Sequence, residues 1–214
     1  MLDEFLGLHP AVELQLSVSD SMLDVYKDEV DLTLRYGPLA DSNLVARRLT
    51  AVRRLAVASP DYLRRCGRPA HPDELAGHEC LTFKIRNRNE REWRFFPRSE
   101  PGAVARVVMV RGRRSTDDGH VAHEWALRGL GMVYKSALDI RDSLASGALV
   151  SVFDDWVGDA LPLHAVMPSQ RFMPQRVRAL VDFLALRLGG AEGAAPAGSG
   201  TSGTGAGAGV SGLS

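Results

Sequence analysis

The segment Thr116 to Ser136, TDDGHVAHEWALRGLGMVYKS, restricts the fold more than any other part of the chain. Thr116 and acidic residues open a run in which Val121, Ala122, Trp125 and Ala126 recur at helical spacing. Gly129 and Gly131 stop it, and Met132-Val133-Tyr134 reads as a buried strand. A helix feeding a strand through a glycine turn is half of an alternating α/β sheet. The order also excludes two chemistries. A dinucleotide fingerprint needs its glycines after a strand and before a helix, whereas Gly129-Leu130-Gly131 lies the other way round. Zinc on one helical face needs a second histidine four residues after His123, and Leu127 is there instead.

The flanking segments continue the alternation. Leu2 to Leu8 reads as a helix, stopped near Gly7 and Pro10. Val12, Leu14, Leu16 and Val18 alternate with polar residues and predict a strand with one wet face. A short helix carrying Met22, Leu23, Val25 and Tyr26 follows, then a strand at Leu32, Leu34 and Tyr36, with Gly37-Pro38 turning the chain. A basic crossover, LVARRLTAVRR, precedes the strand Leu55–Ala58. Ser59-Pro60 then caps a helix that Gly67 ends. His71 to Leu75 is a helical turn, Cys80 to Ile85 a strand, RNRNERE a polar loop, and Ala105 to Val110 a further strand. Trp93, Phe95 and Phe96 read as core. Beyond the central segment come a helix at Leu138–Leu144, strands at Leu149–Val152 and Leu161–Met167, and a last helix. That helix has Pro174 in its first turn and buries Val177, Leu180, Val181, Leu184 and Leu188. From Gly190 the composition falls to Gly, Ala, Ser and Thr, so residues 189–214 are expected to be a disordered tail outside the fold.

With 214 residues and 45% apolar content, the chain can bury a core of one domain or two small lobes. Its formal net charge of +0 supplies no global field for DNA or an anionic membrane. Cys66 and Cys80 are too far apart in sequence for a metal or redox pair and read as reduced thiols. The six histidines form no ligand pattern, and no G-x-S-x-G elbow is present, so neither a metal nor a cofactor is expected, and no enzyme. The opening MLDEFLGLHP is acidic and too briefly apolar to read as a signal peptide, and no run approaches the roughly 20 apolar residues of a membrane span. The expected location is the cytoplasm, without membrane contact.

Taken in order, EFLGLHPAVELQL, EVDLTLRYGPLADSNLVARRL, LAVASPDYLRRCGRPAHPDELAGHECL, DDGHVAHEWALRGLGMVYKS, LASGALVSVFDDW and RVRALVDFLALRL resemble the effector-binding domain of LysR-type transcriptional regulators. The resemblance spans nearly all of Glu4 to Leu188. It implies a two-lobed α/β fold of the periplasmic-binding-protein-like type 2 kind, with a small-molecule effector between the lobes. Residues 1–54 plus 169–188 would form the first lobe and 55–168 the second. The family pairs these domains into dimers or tetramers and contacts DNA through an N-terminal helix-turn-helix. The chain does not include that element or the first strand of lobe I, so it is expected to be a fragment or to start from a misassigned codon. A stand-alone small-molecule-binding protein of this fold and a non-functional fragment are the alternatives.

A cleft in such a fold lies at strand carboxyl ends and helix amino ends, where free N–H groups hold polar ligands. The effector candidates are therefore Ser19 and Asp20; Arg35, Tyr36 and Gly37; Phe83, with Lys84 beside it; Thr116, Asp117 and Asp118; and Tyr134 and Lys135, followed by Ser136. Asp20, Thr116 and Asp117 read equally as helix caps. Arg35 would grip a carboxylate bidentately or lie on a solvated face. Lys135 would meet an anion or be a surface charge near a hinge. Tyr134 would line the cleft or the core.

Overall fold

A computed structural model describes residues 1–18, 30–37, 44–85, 88–100, 102–168 and 173–189. In chain order the elements are α1 (Leu2–Leu8), β1 (Thr33–Tyr36), β2 (Val45–Ala58), α2 (Pro60–Cys66), a 3-10 turn (Pro72–Gly77), β3 (Cys80–Ile85), β4 (Arg88–Asn89), β5 (Glu92–Pro97), β6 (Arg106–Met109), β7 (Ser115–Thr116), α3 (Gly119–Leu127), β8 (Met132–Ser136), α4 (Arg141–Ala145), β9 (Val150–Ser151), β10 (Trp156–Gly158), β11 (Ala160–Met167) and α5 (Gln175–Gly189). The main sheet runs β1-β11-β2-β8-β3-β4, with β7 beside β3 and β9 beside β2; a smaller sheet runs β10-β5-β6. Only the β3–β8 and β3–β7 ladders among these pairs are parallel, so the sheet is mixed.

The basic crossover and the strand after it are one continuous strand, β2. Its residues up to Arg53 pair with β11, while Arg54 to Val57 pair with β8. One strand therefore belongs to two halves of the sheet, and its partner changes between Arg53 and Arg54.

Local chemistry explains the elements that match the sequence pattern. Ser59 Oγ accepts a hydrogen bond from the Tyr62 amide at 3.3 Å, and Pro60 occupies the first turn of α2, where its missing N–H costs nothing. Asp118 caps α3, its Oδ1 accepting from the amides of His120 and Val121 at 2.7 and 3.4 Å. Thr116 does not cap that helix; its Oγ1 accepts from the Asp118 amide at 3.1 Å and so orients the cap.

Three apolar clusters hold the sheet. α5 lays Val177, Val181, Leu184 and Leu188 over Leu49, Leu163, Ala165 and Met167. Each of these valine, leucine and methionine side chains contributes about 1.5–3 kcal/mol when removed from water. On one face of the β2-β8-β3 half, Leu55, Val57, Leu81 and Val133 meet Ala122 and Ala126 of α3. On the other, Ala56, Cys80, Met132 and Tyr134 meet Tyr62, Leu75, Trp93, Phe95 and Val108. The reading of Trp93 and Phe95 as core holds, with each only 1% exposed.

The structure departs from the sequence pattern in four places. Val12 to Val18 is extended but forms no strand, and Leu14, Leu16 and Val18 face solvent. An alternating segment becomes a strand only where another strand accepts its hydrogen bonds, and no described strand lies against it. The polar loop RNRNERE contains β4, which folds back on β3 as a hairpin. The helix expected from Leu138 shrinks to α4, because residues 137–140 form turns, with Asp139 N–H donating to the Ser136 carbonyl at 3.1 Å. β7 and β10, short and with no alternating run of their own, were not predicted. The helix expected around Met22 to Tyr26 and the tail beyond Gly190 lie outside the described residues.

Candidate functional site

The parallel strands β3 and β8 end on the same side of the sheet, and the amino end of α3 opens beside them. This brings Phe83, Thr116, Asp118 and Lys135 together. Phe83 is in register with Thr116, and the Lys135 ammonium lies 5.7 Å from the Phe83 ring centre. Lys135 is 7% exposed, and its Nζ donates to the Gly119 carbonyl at 3.0 Å. The reading of Lys135 as a surface charge therefore fails: alternation along β8 turns it inward beside Val133, towards α3.

β1 supplies the opposite side. Tyr36 Oη donates to Asp139 Oδ1 at 3.0 Å and accepts from Ser136 Oγ at 3.3 Å. Asp139 Oδ2 lies 3.7 Å from Lys135 Nζ. A chain of polar contacts thus runs from β1 through Asp139 to Lys135 and on to the first residue of α3. Burial, and then the neighbouring Asp139 carboxylate, push the Tyr36 hydroxyl above its ordinary pKa, which keeps it a donor. His123, one helical turn into α3, hydrogen-bonds through Nε2 to Ser143 Oγ at 2.9 Å. Burial, and next Lys135, hold its pKa below the ordinary value, so it adds no charge here near neutral pH.

Several candidates fall elsewhere. Tyr134 is core: it is 1% exposed, its hydroxyl donates to the Arg94 carbonyl at 2.6 Å and accepts from the Asp159 amide at 2.9 Å. Alternation along β1 turns Arg35 to the face opposite Tyr36, in register with His164 of β11. Gly37 is buried and its amide donates to the Pro162 carbonyl at 2.9 Å, a backbone role. Asp117 and Lys84 are exposed. Ser19 and Asp20 lie outside the described residues.

Two residues escaped the sequence reading. Arg54 belongs to a segment read as wet crossover, yet it is 5% exposed. Its guanidinium donates to the Tyr134 carbonyl at 3.1 Å and to Glu90 at 3.4 Å, with its carbon 4.2 Å from the Tyr134 ring centre. The signal was present, because consecutive arginines on a strand point to opposite faces, so one of Arg53 and Arg54 had to turn inward. Asp139 carried no such signal; its partner Tyr36 is 103 positions away.

This site offers the buried Lys135 ammonium, the carboxylates of Asp118 and Asp139, the hydroxyls of Tyr36, Thr116 and Ser136, and the Phe83 ring. Such a set can bind and orient a small polar molecule. Among the described residues no group of three or more His, Cys, Asp or Glu side chains is placed to hold a metal ion, and no helix is long and apolar enough to cross a membrane.

The mixed α/β architecture with this polar seam is that of a domain able to hold a small polar molecule. Residues 1–188 match the LysR substrate binding domain, and the chain belongs to that family. It is 36% identical over 188 residues to an HTH-type transcriptional regulator of Xanthomonas campestris pv. campestris, a match covering 88% of this chain and 54% of the relative. The chain thus spans about half the length of that curated relative. The regulatory domain of CrgA, a LysR-type transcriptional regulator from Neisseria meningitidis, superposes with a TM-score of 0.69 at 28% identity, covering 87% of this chain and 89% of that domain. Full-length AphB, a Vibrio cholerae virulence activator, gives 0.71 at 26% identity, covering 87% of this chain and 62% of AphB. The fold is that of LysR-type regulatory domains, consistent with the periplasmic-binding-protein-like type 2 fold, and these relatives are transcriptional regulators rather than enzymes.

Proposed function

We propose that this chain is the effector-sensing part of a LysR-type transcriptional regulator: it binds a small molecule between two lobes and does no covalent chemistry on it. The observation that carries the reading is the exchange of partners along β2, from β11 to β8 between Arg53 and Arg54, with the Tyr36–Asp139 contact spanning the two sides. The register of β11 with β1 and β2 supports grouping residues 160–168 with the first lobe. The division then runs through Arg53/Arg54 and Asp159.

An effector that prefers one arrangement of the lobes shifts the population towards it, and the intact regulator passes that shift to its operator. DNA recognition belongs to a part of the longer regulator outside this chain, and the domains associate as a homodimer or tetramer in the cytoplasm.

The test is a thermal-shift screen of small organic acids, amides, amino acids and aromatic compounds against the 214-residue chain. Ligand binding to the folded state raises the melting temperature by mass action. One chemical class is expected to give a saturable rise with the compound recovered unchanged. Conversion of the bound compound, or no rise with any class, overturns the reading.

A further inference from the structure

We propose, resting on the effector reading above, that the effector carries a carboxylate that takes the place of Asp139 at the Lys135 ammonium, Asp139 being the built-in counter-ion it displaces. Lys135 has three N–H donors, and the Gly119 carbonyl at 3.0 Å takes one. Asp139 Oδ2, at 3.7 Å, is beyond hydrogen-bond range, because the same carboxylate is held by Tyr36 through its other oxygen at 3.0 Å. One acid is thus shared between two donors, and among the described residues the buried ammonium lacks a close anionic acceptor. A free carboxylate, with no tether to Tyr36, can close to the roughly 2.8 Å of a charge-assisted hydrogen bond.

Access and competition favour the same seat. Lys135 is covered, but the Asp139 side chain is 36% exposed, so the group to be displaced lies on the accessible side. The amino end of α3 is not a rival seat, since Asp118 already occupies the amides of His120 and Val121. His123 presents a ring held towards its neutral form. The Phe83 ring supplies an apolar wall beside the ammonium. Displacement has a mechanical consequence: an Asp139 that swings away releases Tyr36, the residue reaching over from β1. The charge of the effector is thereby coupled to the Tyr36–Asp139 contact across the point where β2 changes partner.

The experiment compares benzoate and succinate with benzamide and succinamide, by thermal shift and calorimetric titration on the full chain and on Lys135→Met and Asp139→Asn. Circular dichroism confirms that each variant is folded. The carboxylates are expected to bind and the amides not. Lys135→Met weakens the carboxylates by about tenfold or more. Asp139→Asn keeps the shape but removes the competing charge, so carboxylates bind it several-fold more tightly. A merely structural Lys135 would lose binding in the first variant without producing that gain in the second. Amides binding as well as carboxylates would leave the effector site standing and overturn the charge inference. Weaker carboxylate binding by Asp139→Asn, or binding of neither class to any of the three proteins, overturns it as well.

Discussion

Tyr134 fills the space that a side chain at Gly158 would need: a β-carbon there would lie 2.1 Å from the Tyr134 hydroxyl oxygen. Tyr134 cannot step aside cheaply. Its ring stacks on Trp93 at 5.3 Å, and its hydroxyl ties β5 to the start of β11 through Arg94 and Asp159. The smaller sheet is thereby fastened to the main one beside the point where β2 changes partner.

Gly158→Ala is therefore expected to cost about 3 kcal/mol, the upper range for overpacking a core. Gly147→Ala is the comparison: its φ of 73° strains an alanine, but nothing lies within 4 Å. That substitution should cost about 1–2 kcal/mol. Urea denaturation of both variants measures the difference, and equal losses would remove Tyr134 as the cause.

Stability should fall on the alkaline side through Cys80. Burial, and next Glu79, push this thiol from 9.0 up to about 12, so the unfolded chain releases its proton before the folded one. The contribution is complete below pH 9.0 and is lost as pH rises through about 12. Burial acts likewise on Tyr62, pushed from 10.0 up to about 12. Cys80→Ala should flatten the slope above pH 9.0 by up to one proton, about 1.4 kcal/mol per pH unit. Denaturation midpoints between pH 8 and 11 check this, and an unchanged slope would refute it.

Arg68 pins the chain after α2 to the end of β9. Its Nε donates to the Val152 carbonyl and one Nη to the Ser151 carbonyl, both at 2.9 Å, while Asp154 lies at 2.9 Å. A lysine cannot reproduce this fork. Arg68→Lys is expected to lose about 1 kcal/mol, and most of that loss should persist at high salt because carbonyls rather than the exposed carboxylate hold the side chain. Guanidine-free urea titrations at low and high sodium chloride test it.

Leu16 and Val18 are 64% and 88% exposed and join no ladder. Serine at either position should change stability by less than about 0.5 kcal/mol. A loss several times larger would mean that this segment is paired in solution.

The sequence by itself determined the elements whose information is local. Ser59-Pro60 dictates α2, Asp118 and Gly129 bound α3, and the apolar face from Val177 to Leu188 selects α5, because capping and helical periodicity need only neighbouring residues. Lys135 was legible as a candidate for the same reason, standing at the end of a buried strand. Only the tertiary structure decided whether an alternating segment became a strand: Thr33–Tyr36 met β11, whereas Val12–Val18 met no described partner. It likewise turned Arg54 inward and brought Asp139 between Tyr36 and Lys135. Strand pairing and buried charge are satisfied by groups distant along the chain, so no local pattern can specify them.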